Sequence, residues 1–266
     1  MDLHLQGKKA LITGSNKGIG EAIAKELARE GVSVVIHGRN KQEIDRVVKE
    51  IISSGHQAVG VRGDLSSDDE ATRVAHEAID AFHGIDILIN NAGAFPVRDW
   101  SNTRSSDWVT SYNTNVVSMV RMINGILPQM RRSGWGRIIQ IASIAGSSPS
   151  PSNPDYAASK AANINMSVSL AKELAGSGIT VNTVSPGPIV TPGVKETFLQ
   201  IAQERKWNQE WKEVERRAAK EVLPNLVGRF GKPEEVAAIV AFLCSPRADY
   251  IMGANYRVDG GRSGVI

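Results

Sequence analysis

Six short apolar runs, at residues 9–13, 32–36, 57–61, 85–89, 136–143 and 179–184, punctuate this chain, and stretches with helical periodicity stand between them. Runs this short and apolar, bounded by glycine and polar residues, read as strands buried on both faces. Strands that alternate with helices must be joined by crossovers, which are right-handed and make the sheet parallel. Residues 256–261 supply a seventh strand. The expected fold is α/β: one domain over residues 1–266, with a doubly wound seven-stranded parallel sheet and helices on both faces. Helices are read at 21–30, 41–53, from Ser66 or Ser67 to about 82, at 105–132, 155–175 and 195–221, and from Pro233 to 243. Ser66 or Ser67 with Glu70 offers an N-terminal cap. At 266 residues the chain can bury a substantial core without a second domain.

In such a sheet, ligands gather at the C-terminal ends of the strands. The first strand runs into Gly14-Ser15-Asn16-Lys17-Gly18-Ile19-Gly20 and then a helix. A glycine turn there lets backbone N–H groups and a helix N-terminus face a pyrophosphate. Three residues separate the first two glycines, unlike G-x-G-x-x-G, and a plain strand-to-helix turn would also contain glycine. The second strand ends at His37-Gly38-Arg39-Asn40 with no acid to take a ribose 2′-hydroxyl, whereas Arg39 suits a 2′-phosphate. Lys17 adds a positive charge, so NADP(H) is favoured over NAD(H). Asp64, after the third strand, is placed to meet an adenine edge, and His37 is given no role.

Tyr156 and Lys160 stand four residues apart at the start of a helix, so their side chains share one face. A free phenol has a pKa of about 10, and a nearby ammonium favours the phenolate, making the pair a candidate for proton transfer. An ordinary amphipathic helix also carries a tyrosine and a lysine at this spacing. Ser143 ends the fifth strand thirteen residues earlier, and the intervening Ser-, Pro- and Gly-rich loop allows serine and tyrosine to converge on one carbonyl. Asn115 lies in mid-helix, where asparagine is a mediocre helix former.

Composition narrows the classes further. Apolar residues make up 41% and charged residues 22%, and no apolar run approaches bilayer length, so a membrane span is excluded. No export signal is visible at the N-terminus. The net charge of +3 is dispersed among acids, without the basic block that nucleic acid requires. The single cysteine, Cys244, lies in an apolar run and reads as buried packing, consistent with a reducing cytoplasm.

The motifs together resemble the short-chain dehydrogenase/reductase family over nearly the whole chain, closest in general pattern to bacterial 3-oxoacyl-[acyl-carrier-protein] reductases. The resemblance rests on five signatures in one order. These are Thr13-Gly14-x-x-x-Gly18-Ile19-Gly20, Asn90-Asn91-Ala92-Gly93, Asn115, Ser143 with Tyr156-x-x-x-Lys160, and Pro186-Gly187. It implies a Rossmann fold and a nicotinamide-dependent oxidoreductase interconverting a carbonyl and a secondary alcohol, with no metal. Tyr156 would be the general acid/base, Ser143 would polarise the substrate oxygen, Lys160 would hold the ribose and lower the Tyr156 pKa, and Asn115 would hold a relay water. Cofactor contacts would come from Gly14, Asn16, Lys17, Gly18, Ile19, Gly20, Arg39, Asp64, Leu65, Asn91, Ala92, Gly93, Tyr156, Lys160, Pro186, Gly187, Ile189 and Thr191. The family is usually tetrameric, which makes a homotetramer the expectation.

Substrate choice is assigned to residues 95–100, 145–153 and the charged helical segment 192–222. In that last segment Trp207 and Trp211 are read one helical turn apart, as a lid, an oligomer contact or packing. Arg131 and Arg132 offer a docking patch for an acidic carrier, but Ser177 stands where acyl-carrier reductases often place arginine. Acyl thioesters and small ketones, sugars, polyols or steroids are all open. A catalytically silent NADP(H)-binding sensor or scaffold is the alternative from a different class, although such proteins usually lose a catalytic residue and all four are intact.

Overall fold

The computed structural model describes residues 1–264. Seven strands form one parallel sheet in the order β3-β2-β1-β4-β5-β6-β7. They are β1 (Lys9–Ile12), β2 (Ser33–Gly38), β3 (Ala58–Arg62), β4 (Ile87–Asn90), β5 (Gly136–Ile141), β6 (Ile179–Pro186) and β7 (Asn255–Val258). This is the doubly wound Rossmann arrangement read from the sequence. The order reverses between β1 and β4, which opens a crevice at their C-terminal ends.

Side-chain alternation divides the core. Leu11 of β1 and Leu88 of β4 face one apolar cluster, while Ile12, Ile87 and Ile89 face the other. On the second of these faces lie α1 (Gly18–Arg29), α2 (Lys41–Ser53) and α9 (Pro233–Cys244), through residues such as Leu27, Val47 and Val240. The opposite face is covered by α3 (Asp68–Phe82), α5 (Ser118–Ser133) and α6 (Pro154–Glu173), through Val74, Ile126 and Ala171. Cys244 is wholly buried and free, and burial pushes its thiol up to about 12. Among the described residues no helix is long and apolar enough to cross a membrane.

Ser67 caps α3 by accepting from Glu70 N. The Glu70 carboxylate does not return the bond to Ser67, but accepts from Asp64 N at 2.8 Å. The cap therefore also ties down the loop at the end of β3.

Two helical readings need correction. The span 105–132 is α4 (Ser105–Tyr112), a π-turn at Asn113–Val117 and then α5. Asn115 sits in that turn, fully buried, because its amide is drawn into bonds with Ala94 and Ser159 that override the ordinary helical register. The segment 195–221 is α7 (Pro192–Glu204), α8 (Trp211–Arg217) and a π-turn at Ala218–Val222. Lys206, at φ 55°, breaks the chain between the helices, so Trp207 and Trp211 do not share a helical turn. Trp207 instead turns inward against Phe198, Ala202, Val214 and Phe230, giving this segment a small core of its own.

Candidate active site

The glycine loop lies in the crevice between β1 and β4 and is held from both sides. Asn91 donates through Nδ2 to the Thr13 and Gly14 carbonyls at 2.9 and 3.0 Å. The Thr13 hydroxyl accepts from the N–H groups of Asn91 and Ala92. A Cβ on Gly14 would come within 2.9 Å of Ala92 Cα, so only glycine permits this approach, and its φ of +63° agrees. Asn91 and Ala92 thus shape the loop as well as flank it. At the head of α1, Lys17 supplies no side-chain cap, which leaves first-turn N–H groups free of any side-chain partner. Such an end fits a pyrophosphate. Thr191 Cγ2 would lie 3.3 Å from a Cβ on Gly18, which brings the segment after β6 over the same loop. Thr191 also caps α7.

His37 lies beneath the loop, buried among it and the end of β3. Its Nδ1 accepts from Gly14 N and its Nε2 donates to the Gly63 carbonyl, both at 3.2 Å. Burial drives its pKa down to about 4; the Gly63 bond and Asp64 oppose the shift, and Arg73 adds to it. Because the folded value is depressed, the unfolded chain takes up this proton first. Stability from the neutral ring is complete above about pH 6.5 and erodes as the pH falls toward 4, by up to about 3 kcal/mol. Thermal unfolding between pH 6.5 and 5 should show this slope, and His37→Asn should flatten it.

The end of β2 carries Arg39, whose side chain is 80% exposed with Asp64 Oδ2 4.0 Å away. Asp64 Oδ1 is already committed to Ser66 N and Oγ. Asn16 leans over Gly38 and donates to Glu43, an acid in the first turn of α2 that lies outside the strand end inspected in the sequence. Arg46 holds the Asn16 carbonyl while pairing with Glu21 and Glu50. Arg39 and the nearby Arg62, which donates to the Arg39 carbonyl, bring two basic side chains to this corner beside the acids Asp64 and Glu43. Leu65 points its side chain into the core, and its carbonyl accepts from Arg121. Pro186 is buried at the end of β6, and Gly187 is bonded to Val258 and crowded by Asp259. Ile189 is also buried, bridging to Gly231. These three therefore shape the strand end, and Thr191 is the member of that group that reaches the glycine loop.

Ser143, Tyr156, Lys160 and Asn115 converge beside it. Ser143 stands beside Tyr156, and its Oγ accepts from Ala145 N at 3.2 Å. Lys160 Nζ donates to the Ile141 carbonyl at 2.9 Å and lies 5.7 Å from the Tyr156 ring centre. Gly93 marks where these groups meet: a Cβ there would lie 2.9 Å from Asn115 Oδ1 and 3.6 Å from Lys160 Nζ. Burial raises the Tyr156 pKa and the neighbouring Ser143 hydroxyl only partly offsets it, while burial lowers Lys160 to about 8. The Asn115 amide bridges Ala94 and Ser159, donating to the Ala94 carbonyl and Ser159 Oγ and accepting from Ala94 N.

Loop residues complete the mouth. Phe95 meets the Tyr156 ring edge-on at 4.7 Å between centres. Arg98 pairs with Asp107 and with the wholly buried Asp155, at 3.3 Å from the latter, and its N–H donates to the Ser152 carbonyl. Arg98 and Asp155 were passed over in the sequence. An arginine in the 95–100 loop and an acid next to the tyrosine were the available signals. Among the described residues no cluster of metal-ligating side chains is gathered.

Comparison with known proteins agrees with this geometry. Residues 8–202 match the family model described as short chain dehydrogenase. An uncharacterized oxidoreductase of Bacillus subtilis, YvrD, is 39% identical, with 98% of each chain covered. The 3-oxoacyl-[acyl-carrier-protein] reductase FabG of Aquifex aeolicus is 38% identical, covering 98% of this chain and 99% of its own. Among solved structures, L-sorbose reductase from Gluconobacter frateurii, complexed with NADPH and L-sorbose, superimposes with a TM-score of 0.94 at 34% identity over 100% of both chains. The chain belongs to the short-chain dehydrogenase family and is an oxidoreductase built on a Rossmann fold.

Proposed function

We propose that the protein uses NADPH to reduce a ketone to a secondary alcohol, with Tyr156 as the proton donor. The observation that carries this reading is the convergence of Ser143, Tyr156 and Lys160 beside the glycine loop. A protonated Tyr156 phenol can donate as negative charge develops on the carbonyl oxygen, and alcohol oxidation is the reverse of the same step. Ser143 then hydrogen-bonds the same oxygen. The uncapped N-terminus of α1 and the exposed Arg39 side chain support NADPH as the cofactor, which would supply the hydride. Lys160, neutral more readily than a free lysine, would take part in moving protons at this site. The L-sorbose reductase structure contains NADPH, which supports the cofactor assignment.

The cofactor assignment is tested at Arg39. Charge-assisted contacts to phosphate are worth about 1.5–3 kcal/mol, so Arg39→Asp should weaken NADPH binding about 10- to 100-fold while NADH binding changes little. Equal losses for both cofactors would remove Arg39 from this role. Consumption of NADPH across acyl thioesters, ketoses and simple ketones separates the substrate classes. Turnover of thioesters would align the protein with its acyl-carrier relatives, and turnover of ketoses with the sorbose reductase.

A further inference from the structure

We propose that His37 is a positioning residue for the cofactor loop, fixing its backbone in the form that binds NADPH. The proposal rests on the NADPH reading above. Four hydrogen bonds carry it. The Gly14 N–H donates to His37 Nδ1, and Nε2 donates to the Gly63 carbonyl. On the backbone, His37 N donates to Ser15 Oγ at 3.0 Å and Ser15 N donates to the His37 carbonyl at 2.8 Å. The Ser15 hydroxyl in turn donates to the Ile12 carbonyl.

This one residue therefore links the ends of β1 and β3 from β2. It also decides which loop N–H groups face the ligand. Gly14 and Ser15 direct theirs inward to His37, leaving those from Asn16 onward, with the uncapped start of α1, for a phosphate. The ring is 2% exposed and touches no substrate position, so it acts through the loop. An apolar side chain in its place would leave the Gly14 N–H and the Gly63 carbonyl without partners, and a loop that relaxes to find others loses its preorganised shape.

The test is direct NADPH titration of the purified protein by nicotinamide fluorescence, with kcat at saturating NADPH on whichever ketone is turned over. His37→Leu should raise the NADPH Kd about tenfold or more and leave kcat within about twofold. His37→Asn, whose amide oxygen can accept from Gly14 N, should stay within about threefold of the wild-type Kd. Amide exchange measured by NMR in the unmutated protein gives a second arm that needs no variant. The Gly14 N–H should already be protected without NADPH, and addition of NADPH should newly protect groups at 17–20. Free exchange at Gly14 before NADPH is added would overturn the proposal. So would equal Kd increases in both variants, or unchanged Kd in His37→Leu. If His37→Leu does not fold, the His37→Asn titration and the Gly14 exchange decide the matter. A wild-type protein that binds neither NADPH nor NADH would overturn the cofactor reading and this proposal with it, whereas normal wild-type binding with unaffected variants overturns this proposal alone.

Discussion

Tyr156→Phe is expected to lower kcat for ketone reduction about a thousandfold while leaving NADPH affinity and thermal stability nearly unchanged. General acid catalysis contributes about 10²- to 10⁴-fold, and the Tyr156 phenol stands beside Ser143 where the substrate oxygen would be held. The substitution removes one oxygen and keeps the ring. The edge-on contact with Phe95 therefore survives, as does the Lys160 bond to the Ile141 carbonyl. Loss should appear in kcat and kcat/KM together, because the proton moves only in the transition state. A variant that retains most of its rate would show that the proton comes from elsewhere. A variant that melts far below the parent would show that the hydroxyl is structural.

The second large effect is expected at Arg98, and it is one of stability. Asp155 is wholly buried and immediately precedes Tyr156, and its partners are Arg98 and the Ser111 hydroxyl. Removing one member of a buried pair leaves an uncompensated charge, at a cost of about 3–5 kcal/mol. Arg98 keeps 24% of its exposure, which admits some solvent screening, so about 3 kcal/mol is the expected loss for Arg98→Met. In a chain of this size that corresponds to a fall in Tm of about 6–12 °C. Arg98 also ties the loop bearing Phe95 to Ser152, to α4 and to the start of α6. The kcat of the folded variant should therefore fall as well. Adding Asp155→Asn to Arg98→Met should recover part of the lost stability, because the buried carboxylate is then gone. A double variant less stable than Arg98→Met by the full effect of Asp155→Asn alone would mean the two residues are not coupled.

The sheet was legible in the sequence because its strands are apolar on both faces and separated by helical periods, and β1 through β7 lie within a few residues of the expected positions. Strand ends shifted where pairing extends beyond the apolar run, as at His37 and Gly38 of β2, which pair with Val61 and Arg62. Features set by tertiary contact were not legible. Nothing local marks the π-turn at Asn113–Val117, since it is set by the Asn115 amide reaching Ala94 and Ser159. The break before Trp207 falls at a lysine in a left-handed conformation, with neither glycine nor proline to announce it. Within the site, the residue types and order of Ser143, Tyr156 and Lys160 were readable from motif spacing. The electrostatics were not. Burial, which the sequence does not state, raises the tyrosine and lowers the lysine. Glu43 reaches Asn16 from the next helix, and His37 bonds to loops 23 and 26 residues away, so neither contact could be read from its neighbours.

The central claim, hydride transfer from NADPH to a ketone with Tyr156 supplying the proton, is tested most directly by isotope position. NADPH carrying deuterium at the transferable C4 position would be supplied with each ketone and thioester substrate of the panel, and the alcohol product examined by mass spectrometry and NMR. The account predicts one deuterium on the carbinol carbon in the wild-type product, formed about a thousandfold more slowly by Tyr156→Phe. Product without the label, or labelled product formed equally fast by the variant, would contradict it.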